Sequence, residues 1–319
     1  MANSYHIILP AYNEGENIER CITTIKKSIG TKDIPITLVD NQSTDETVNI
    51  ARSLGVEVLQ FEEKLTIAEL RNRGAAHVKA EFVLFIDSDM EVPEDWIEKF
   101  EKVQKEANAD VLGFVVGVPA NAPWFARIWA LRTNARRDRL QEIDFLPGHN
   151  IAVRRSLFER VGGFSTDLRT SEDKDLVMRL KSAGARVFSA PPIGIIHWGY
   201  EKTFKEWIRK EFWRQSSHVS MIRRHGTSAR LLRFPLTAVF HLIVAAGVIA
   251  ALVSQSWWWA TGLAVLLVLP SIAQTLNSRM SRLPVLRAVK FASLYFARFH
   301  IAGIAVISEY FRTRRVKAE

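Results

Sequence analysis

Forty-five consecutive residues, 234–278, contain no Asp, Glu, Lys or Arg. Few folds tolerate such a block. It contains "FPLTAVFHLIVAAGVIAALV" (234–253) and "WWWATGLAVLLVLPSIAQTL" (257–276), joined by the uncharged "SQS". Twenty apolar residues in a helix span a bilayer core of about 30 Å. The block therefore reads as a transmembrane helical hairpin over 234–276. A helical hairpin buried in a soluble core is the other solution. Flanking charge favours the membrane: Arg230 and Arg233 precede the block, and Arg279 and Arg282 follow it. The tendency of basic residues to stay inside puts both outer ends in the cytoplasm and the short turn outside. Trp257–Trp259 then serve as an interface anchor.

The net charge is +9, but it is unevenly spread. Residues 201–233 hold nine Lys/Arg against three Glu, and residues 279–319 hold nine against two. This leaves residues 1–200 at −4. Basic excess confined to the flanks of an apolar block points to anionic lipid headgroups. No basic stripe with readout elements lies inside the first 200 residues, so no nucleic-acid partner is expected. "FKEWIRKEFWRQSSHVSMIRRHG" (204–226) mixes aromatic and basic residues and reads as interfacial, with an ordinary solvated helix as the other reading. Residues 283–311 are apolar but carry Arg287, Lys290, Arg298 and His300, which fits an amphipathic helix on the interface; a third crossing stays open. The single cysteine, Cys21, excludes a disulfide framework and suits a reducing compartment. "MANSYHIILPAYNE" has too short an apolar stretch for a signal peptide, so the first domain is expected in the cytoplasm.

Residues 1–200 alternate between short apolar runs and helical spacings. "YHIIL" (5–9), "PITLVD" (35–40), "VEVLQF" (56–61) and "FVLFID" (82–87) read as strands. Between them, apolar residues at 18, 22, 25 and 29 mark a helix, "STDETVNIARSLG" opens another with Ser43 or Thr44 as cap, and "TIAELRNRGAAHVK" forms a third. This alternation predicts a doubly wound α/β domain with a parallel sheet. Ligands bind such sheets beyond the C-terminal strand edges, where Asp40 and the pair Asp87/Asp89 fall.

Asp87-Ser88-Asp89 closes the apolar run "FVLFIDSD". On extended backbone, alternate side chains share a face. Two carboxylates there repel unless a cation sits between them, and oxygen ligands suit Mg²⁺ or Mn²⁺. Read alone, the same residues also fit a capped strand end before a turn.

Seven stretches in order, "PAYNE" (10–14), "VDNQSTD" (39–45), "RNRGA" (71–75), "FIDSD" (85–89), "GHN" (148–150), "VGGF" (161–164) and "SEDKDL" (171–176), resemble the inverting family-two glycosyltransferases of the GT-A fold, over residues 5–200. The resemblance implies a GT-A, Rossmann-like, mostly parallel catalytic domain over 1–200. Interfacial helices at 201–233, the hairpin at 234–276 and a basic segment at 277–319 complete the expected organisation. It implies that Pro10 and Asp40 sit at the nucleotide base, with Tyr12 stacking on base or ribose and Glu14 assisting. Arg71 would approach the diphosphate and Asp87 the ribose and metal. Asp89 would bind Mg²⁺ or Mn²⁺ directly; His197, in "IIHWGYEKT", is either a further metal ligand or a satisfied loop histidine. Gly148 and Asn150 would line the sugar site, with His149 beside them. Asp173 would be the general base, tuned by Glu172; on residues alone, both acids could simply complement a helix dipole. Arg209, Arg214 and Gln215 loosely match a motif of membrane-bound relatives, but the full signature of processive synthases is absent.

The expected activity is transfer of a sugar from a nucleoside-diphosphate sugar to a lipid-linked or polysaccharide acceptor. The expected place is the cytoplasmic face of the inner membrane. The Trp- and Arg-rich insert at 124–140 (Trp124, Arg127, Trp129, Arg132, Arg136, Arg137) suggests a membrane-proximal, anionic acceptor. Two other classes compete. A nucleotidyltransferase acting on a sugar phosphate expects a Gly-rich phosphate loop, which "PAYNEGEN" lacks. A non-catalytic membrane scaffold is opposed by the intact Asp40, Asp87, Asp89 and Asp173.

Overall fold

The structure, a computed structural model, describes residues 3–134, 139–278 and 284–315. Arg136, Arg137, Arg279 and Arg282 lie outside them. The chain divides into two compact units. One comprises Met1–Asn121, Arg137–Asp167 and Glu172–Tyr200; the other comprises Ala122–Arg136, Leu168–Ser171 and Glu201–Glu319.

The first unit is an α/β sandwich around one large sheet. Its strands are β1 (Asn3–Ala11), β2 (Ile36–Asp40), β3 (Glu57–Gln60), β4 (Ala80–Ile86), β6 (Val111–Phe114), β7 (Gln141–Glu142), β8 (Asn150–Arg154) and β9 (Val187–Ala190); the short β5 (Met90–Glu91) stands outside that sheet. Their order is β3-β2-β1-β4-β8-β6-β9-β7. Ile7, Ile8 and Leu9 are fully buried, as expected of a central strand covered on both faces. β1 runs parallel to both β2 and β4, β2 to β3, and β6 to β9. The sheet is nevertheless mixed. β8 runs antiparallel between β4 and β6, and β7 runs antiparallel to β9. This is the mostly parallel sheet expected, with β8 and β7 as its antiparallel members; β8 enters directly from the turn that precedes Asn150.

Helices α1 (Ile18–Ile29), α2 (Thr47–Ser53), α3 (Ile67–His77), α4 (Trp96–Ala107), α6 (Arg155–Arg160) and α7 (Glu172–Ser182) accompany the sheet. α1 buries Ile18, Cys21, Ile22, Ile25 and Ile29, one face at helical spacing. Thr66 and Glu69 form a capping box at the start of α3. Neither Ser43 nor Thr44 caps α2. The Asp45 carboxylate accepts from the Thr47 N–H instead, at 3.1 Å, while Ser43 and Thr44 are drawn to Asn13. A β-carbon on Gly74 would come within 2.7 Å of Ile8 Cγ2. Glycine there lets α3 lie close against β1. Arg71, one helical turn earlier, is aimed from the same face.

The second unit is helical: α5 (Trp124–Asn134), α8 (Phe204–Arg214), α9 (His218–His225), α10 (Ala229–Val253), α11 (Trp257–Asn277) and α12 (Val285–Arg315). α10 and α11 contain the two expected apolar runs. α12 is a third helix long and apolar enough to cross a membrane. Residues 204–225 form two helices, α8 and α9, separated at 215–217. α12 approaches α10 closely: a β-carbon on Gly303 would stand 2.6 Å from the Ala238 carbonyl oxygen. Small residues let helix backbones meet in this way. Trp258, at the hairpin tip, is 92% exposed.

Candidate active site

The site is assembled at the C-terminal edges of β1, β2 and β4. Two loops are stitched together there. The Asn13 N–H donates to Ser43 Oγ (2.9 Å), the Glu14 N–H to Thr47 Oγ1 (2.8 Å) and the Gly15 N–H to Asp45 Oδ2 (2.8 Å). Asn13, at φ 53°, returns the contact by accepting the Thr44 N–H. Tyr12 is left exposed on this platform, its ring under Lys64 Nζ at 4.4 Å. Asp40 lies opposite Ala11 in the sheet and is fully buried. Its carboxylate accepts from the Ser43 N–H (3.1 Å) and Gln60 Nε2 (3.3 Å). Two strand spacings put Asp40 roughly 10 Å from the end of β4. Asp40 and the Asp87/Asp89 pair thus occupy separate stations along one edge.

Asp87-Ser88-Asp89 is a turn rather than an extended strand end; the Met90 N–H closes it onto the Asp87 carbonyl. The turn is pinned by Ser88, whose hydroxyl donates to the Pro10 carbonyl at 3.0 Å. Asp87 and Asp89 consequently have different partners. Asp87 Oδ1 accepts from Arg71 Nη2 at 2.8 Å. Asp89 Oδ2 meets His197 Nε2 at 3.0 Å. Its Oδ1 is shielded from solvent with no hydrogen-bond partner. Burial works to raise the Asp89 carboxyl, but the charge and hydrogen bond of His197, with His149 beyond, hold it below its ordinary value.

His197 reaches Asp89 through a small antiparallel pairing of β10 (Ile196–His197) with β5, in which His197 faces Met90. The Trp198 N–H also donates to the Asp89 carbonyl. A β-carbon on Gly199 would fall 1.9 Å from Asp89 Oδ2, so only glycine fits beside this carboxylate. The His149 and His197 rings stack with centroids 5.9 Å apart. Trp198 forms a rim: its Nε1 donates to Glu91 at 2.7 Å, and Arg20 lies 4.0 Å over its ring.

Arg71 is the hub of the second cluster. It is buried, and its Nη1 donates to Glu172 Oε1 at 3.1 Å while Nη2 holds Asp87. One guanidinium thus ties the strand-end turn to the first residue of α7, 101 positions on. A β-carbon on Gly148 would stand 2.8 Å from Arg71 Nη1, which explains glycine there. The Gly148 N–H donates to Asp173 Oδ2 at 3.0 Å, and the Lys174 N–H to Oδ1 at 2.7 Å. Burial, then the neighbouring Glu172 carboxylate, push Asp173 up to about 7; the two N–H groups and Arg71 oppose them. Ser171, immediately before, holds a left-handed φ of 66°. β8 places this group, because Ile86 pairs with Asn150 and the Asp87 N–H donates to the His149 carbonyl. Asn150 is buried at the base, its Nδ2 3.5 Å from the Phe114 carbonyl. Glu14 is half-buried nearby. Burial, opposed by its Asn17 hydrogen bond and reinforced by the fields of Asp89 and Asp87, holds its carboxyl above the usual range.

Among the described residues no three His, Cys, Asp or Glu groups are arranged to hold a metal by themselves. Asp87, Asp89 and His197 therefore do not close into a finished shell. The residues still fit a hard divalent ion whose remaining ligands come from substrate: the orphan Asp89 Oδ1 is an oxygen donor, and the imidazole of His197 lies beside it. Sequence reasoning missed Gln60, Lys64, Ser88, Arg20, Trp198 and Gly199. Only "HWG" carried a signal, a glycine two places after the histidine.

Residues 6–162 match the family described as Glycosyl transferase family 2. The chain is 24% identical over 238 residues to the pre-mycofactocin glycosyltransferase of Mycobacterium tuberculosis, covering 71% of this chain and 49% of that protein. It thus spans about half the length of the first curated relatives it matches. Two solved structures share the fold. The mannosyltransferase PcManGT from Pyrobaculum calidifontis, in complex with GDP-Man and Mn²⁺, has a TM-score of 0.61 at 18% identity, covering 95% of this chain and 88% of that one. TarS of S. aureus, in complex with UDP-GlcNAc, has a TM-score of 0.52 at 19% identity, covering 69% and 67%.

Proposed function

This chain carries a family 2 glycosyltransferase domain of the GT-A fold, and from that premise we propose that it is an inverting, metal-dependent sugar transferase. Its donor is a nucleoside-diphosphate sugar. Its acceptor is lipid-linked or a growing glycan, and the reaction runs at the cytoplasmic face of the inner membrane. The observation that carries this reading is Asp173: a half-buried carboxylate pushed up to about 7, gripped by two backbone N–H groups and joined through Glu172 and Arg71 to Asp87. A base poised near neutral pH is what acceptor activation needs.

In this reading Asp173 takes the proton of the acceptor hydroxyl as that oxygen bonds to the anomeric carbon. The bond from that carbon to the diphosphate oxygen breaks, and the nucleoside diphosphate leaves with the electron pair. One displacement inverts the anomeric centre through an oxocarbenium-like transition state. Asp40, with Pro10 and Tyr12, receives the base and ribose, and Glu14 flanks them. Gly148 and Asn150 border the sugar. Arg71 fixes Asp87 relative to the Glu172–Asp173 pair, so that donor and base keep register. Mg²⁺ or Mn²⁺, held by Asp89 with His197 and Asp87, would supply positive charge for the departing diphosphate.

Three helices long enough to cross a bilayer support a membrane-borne acceptor. The arginines of α5, Arg127 and Arg132, suit one that carries phosphate. Membranes containing the protein, assayed with a panel of nucleotide sugars, should release nucleoside diphosphate and label a lipid or glycan. Release of inorganic pyrophosphate from a nucleoside triphosphate and a sugar phosphate, supplied in a parallel assay, would instead indicate nucleotidyl transfer, and no release in either assay would leave the scaffold reading.

A further inference from the structure

We infer that Trp198 is a positioning residue for the metal site proposed above, clamping the segment that carries His197 against Asp89; this rests on the reading in which Asp89 and His197 hold a divalent ion. Three consecutive residues wrap Asp89. His197 Nε2 meets its Oδ2 at 3.0 Å, the Trp198 N–H donates to its carbonyl at 2.9 Å, and Gly199 lies so near Oδ2 that no β-carbon fits. The pairing that leads into them is short. β10 has two residues, with Ile196 opposite Glu91 and His197 opposite Met90. The Gly117 carbonyl also accepts the His197 N–H, at 2.9 Å. Apart from the His197 ring itself, these contacts hold backbone. To keep the imidazole on Asp89, the chain beyond it has to be fixed too, and Gly199 has no side chain to do so. Trp198 supplies the side-chain anchor.

Its indole is held twice. Nε1 donates to Glu91 Oε2 at 2.7 Å, a charge-assisted bond and so of the stronger kind. The Arg20 guanidinium carbon lies 4.0 Å from the ring centre, within range of a cation–π contact. Arg20 and Glu91 are themselves 3.9 Å apart, so cation, ring and carboxylate close a triangle. Its corners come from α1, from β5 and from the residue after β10. β5 begins at Met90, directly after Asp89. The anchor of the His197 segment and the carboxylate that His197 meets therefore ride on one short stretch of backbone. Arg20 extends the brace: its Nη1 lies 3.4 Å from Asn17 Oδ1, and Asn17 Nδ2 donates to Glu14 Oε2 at 3.0 Å. In metal sites, the groups that orient a ligand bear on affinity nearly as strongly as the ligand does. Trp198 does this through the backbone, one residue along from the imidazole.

The test uses the full chain in neutral detergent, with Mn²⁺ as the probe in the presence of UDP and, separately, of GDP. Free Mn²⁺ is counted by electron paramagnetic resonance. The parent should hold Mn²⁺ with one of the two nucleotides and release it to a chelator. Trp198→Phe keeps a ring but loses the N–H, and should weaken Mn²⁺ binding about tenfold. Glu91→Leu removes the acceptor and should match it, whereas Glu91→Gln keeps one and should stay within about threefold of the parent. Without metal, hydrogen exchange at the amides of positions 197 and 198 should quicken in Trp198→Phe. In a His197→Ala background, Trp198→Phe should cost nothing further, because the clamp acts through that imidazole. Parent-like Mn²⁺ binding in Trp198→Phe overturns the proposal, and so does an undiminished cost of that substitution without His197. Should Trp198→Phe fail to fold, Glu91→Leu decides in its place. A parent that holds no Mn²⁺ with either nucleotide overturns the metal reading itself and the proposal with it; that failure shows in the parent, the others only in the variants.

Discussion

Two acids at the sheet edge of the α/β unit differ from two buried acids of the helical unit. Those of the helical unit have both carboxylate oxygens engaged. Glu211, with no solvent exposure, meets Arg298 at 2.7 Å and Arg214 at 3.4 Å and accepts from Gln215 at 2.6 Å. Burial would raise its carboxyl, but these arginines, with Arg132, hold it below its ordinary value. Glu309 accepts the N–H groups of Val219 and Ser220 and the Ser220 hydroxyl, all within 2.9 Å, and so closes the first turn of α9. In the α/β unit, Asp89 keeps one buried oxygen without a partner, and Asp173 is pushed toward its protonated form. A buried acid with both oxygens engaged holds structure together. One left unsatisfied at a sheet edge is held ready for something else, since an orphaned buried polar group costs about 1–3 kcal/mol.

The comparison can be broken by experiment. Asp173→Asn should lower the transfer rate by about 10²–10⁴-fold with the fold retained. In the unmodified protein the rate should climb as pH rises through about 7, where Asp173 loses its proton. Stability has the opposite sign. The native state keeps a proton that the unfolded chain has already released, so Asp173 costs stability progressively as pH rises from the ordinary carboxylate range to about 7. Asp173→Asn should remove that loss, giving a thermal midpoint at pH 8 equal to or above the parent. Full activity in this variant would sink the base assignment.

Glu211→Ala should cost about 3–5 kcal/mol of stability, because it removes the acid partner of the largely buried Arg298; thermal or denaturant unfolding measures it. A variant as stable as the parent would erase the contrast between the units. Asp89→Asn should weaken Mn²⁺-supported nucleotide binding by about 100-fold, read by calorimetry with and without chelator, and leave the unfolding midpoint nearly unchanged. A collapse of stability there would move Asp89 into the structural class. Glu309→Ala should cost the least, about 1–2 kcal/mol, and its signature is local: faster amide exchange at Val219 and Ser220.

Much of the α/β unit was legible because its signals are local. Buried strands announce themselves as apolar runs and α1 as helical spacing. Asp40, Asp87 and Asp89 were read the same way, as charges at the ends of such runs, whereas Glu172 and Asp173 came from the family resemblance. Their partners were not. Arg71 touches both Asp87 and Glu172, and His197 lies 108 positions from Asp89. No local pattern encodes those pairs. The sequence left Asp87–Asp89 open between an extended end and a turn because the apolar run continues up to Ile86, and the Ser88 bond to Pro10 that bends it comes from another strand.

By itself, the sequence determined what each segment must bury. A 45-residue stretch without charge cannot face water on all sides, and apolar strands between amphipathic helices cannot avoid a layered sheet. Tertiary structure decided what each charge would do. The antiparallel course of β8 brings the Gly148 N–H to Asp173 and the His149 carbonyl to Asp87, and the β5–β10 pairing brings His197 to Asp89. The physical reason is range. Hydrophobic burial is written in the composition of a few neighbouring residues, whereas the charge state of a carboxylate depends on which distant donors, acids and buried surfaces the fold sets within a few ångströms of it.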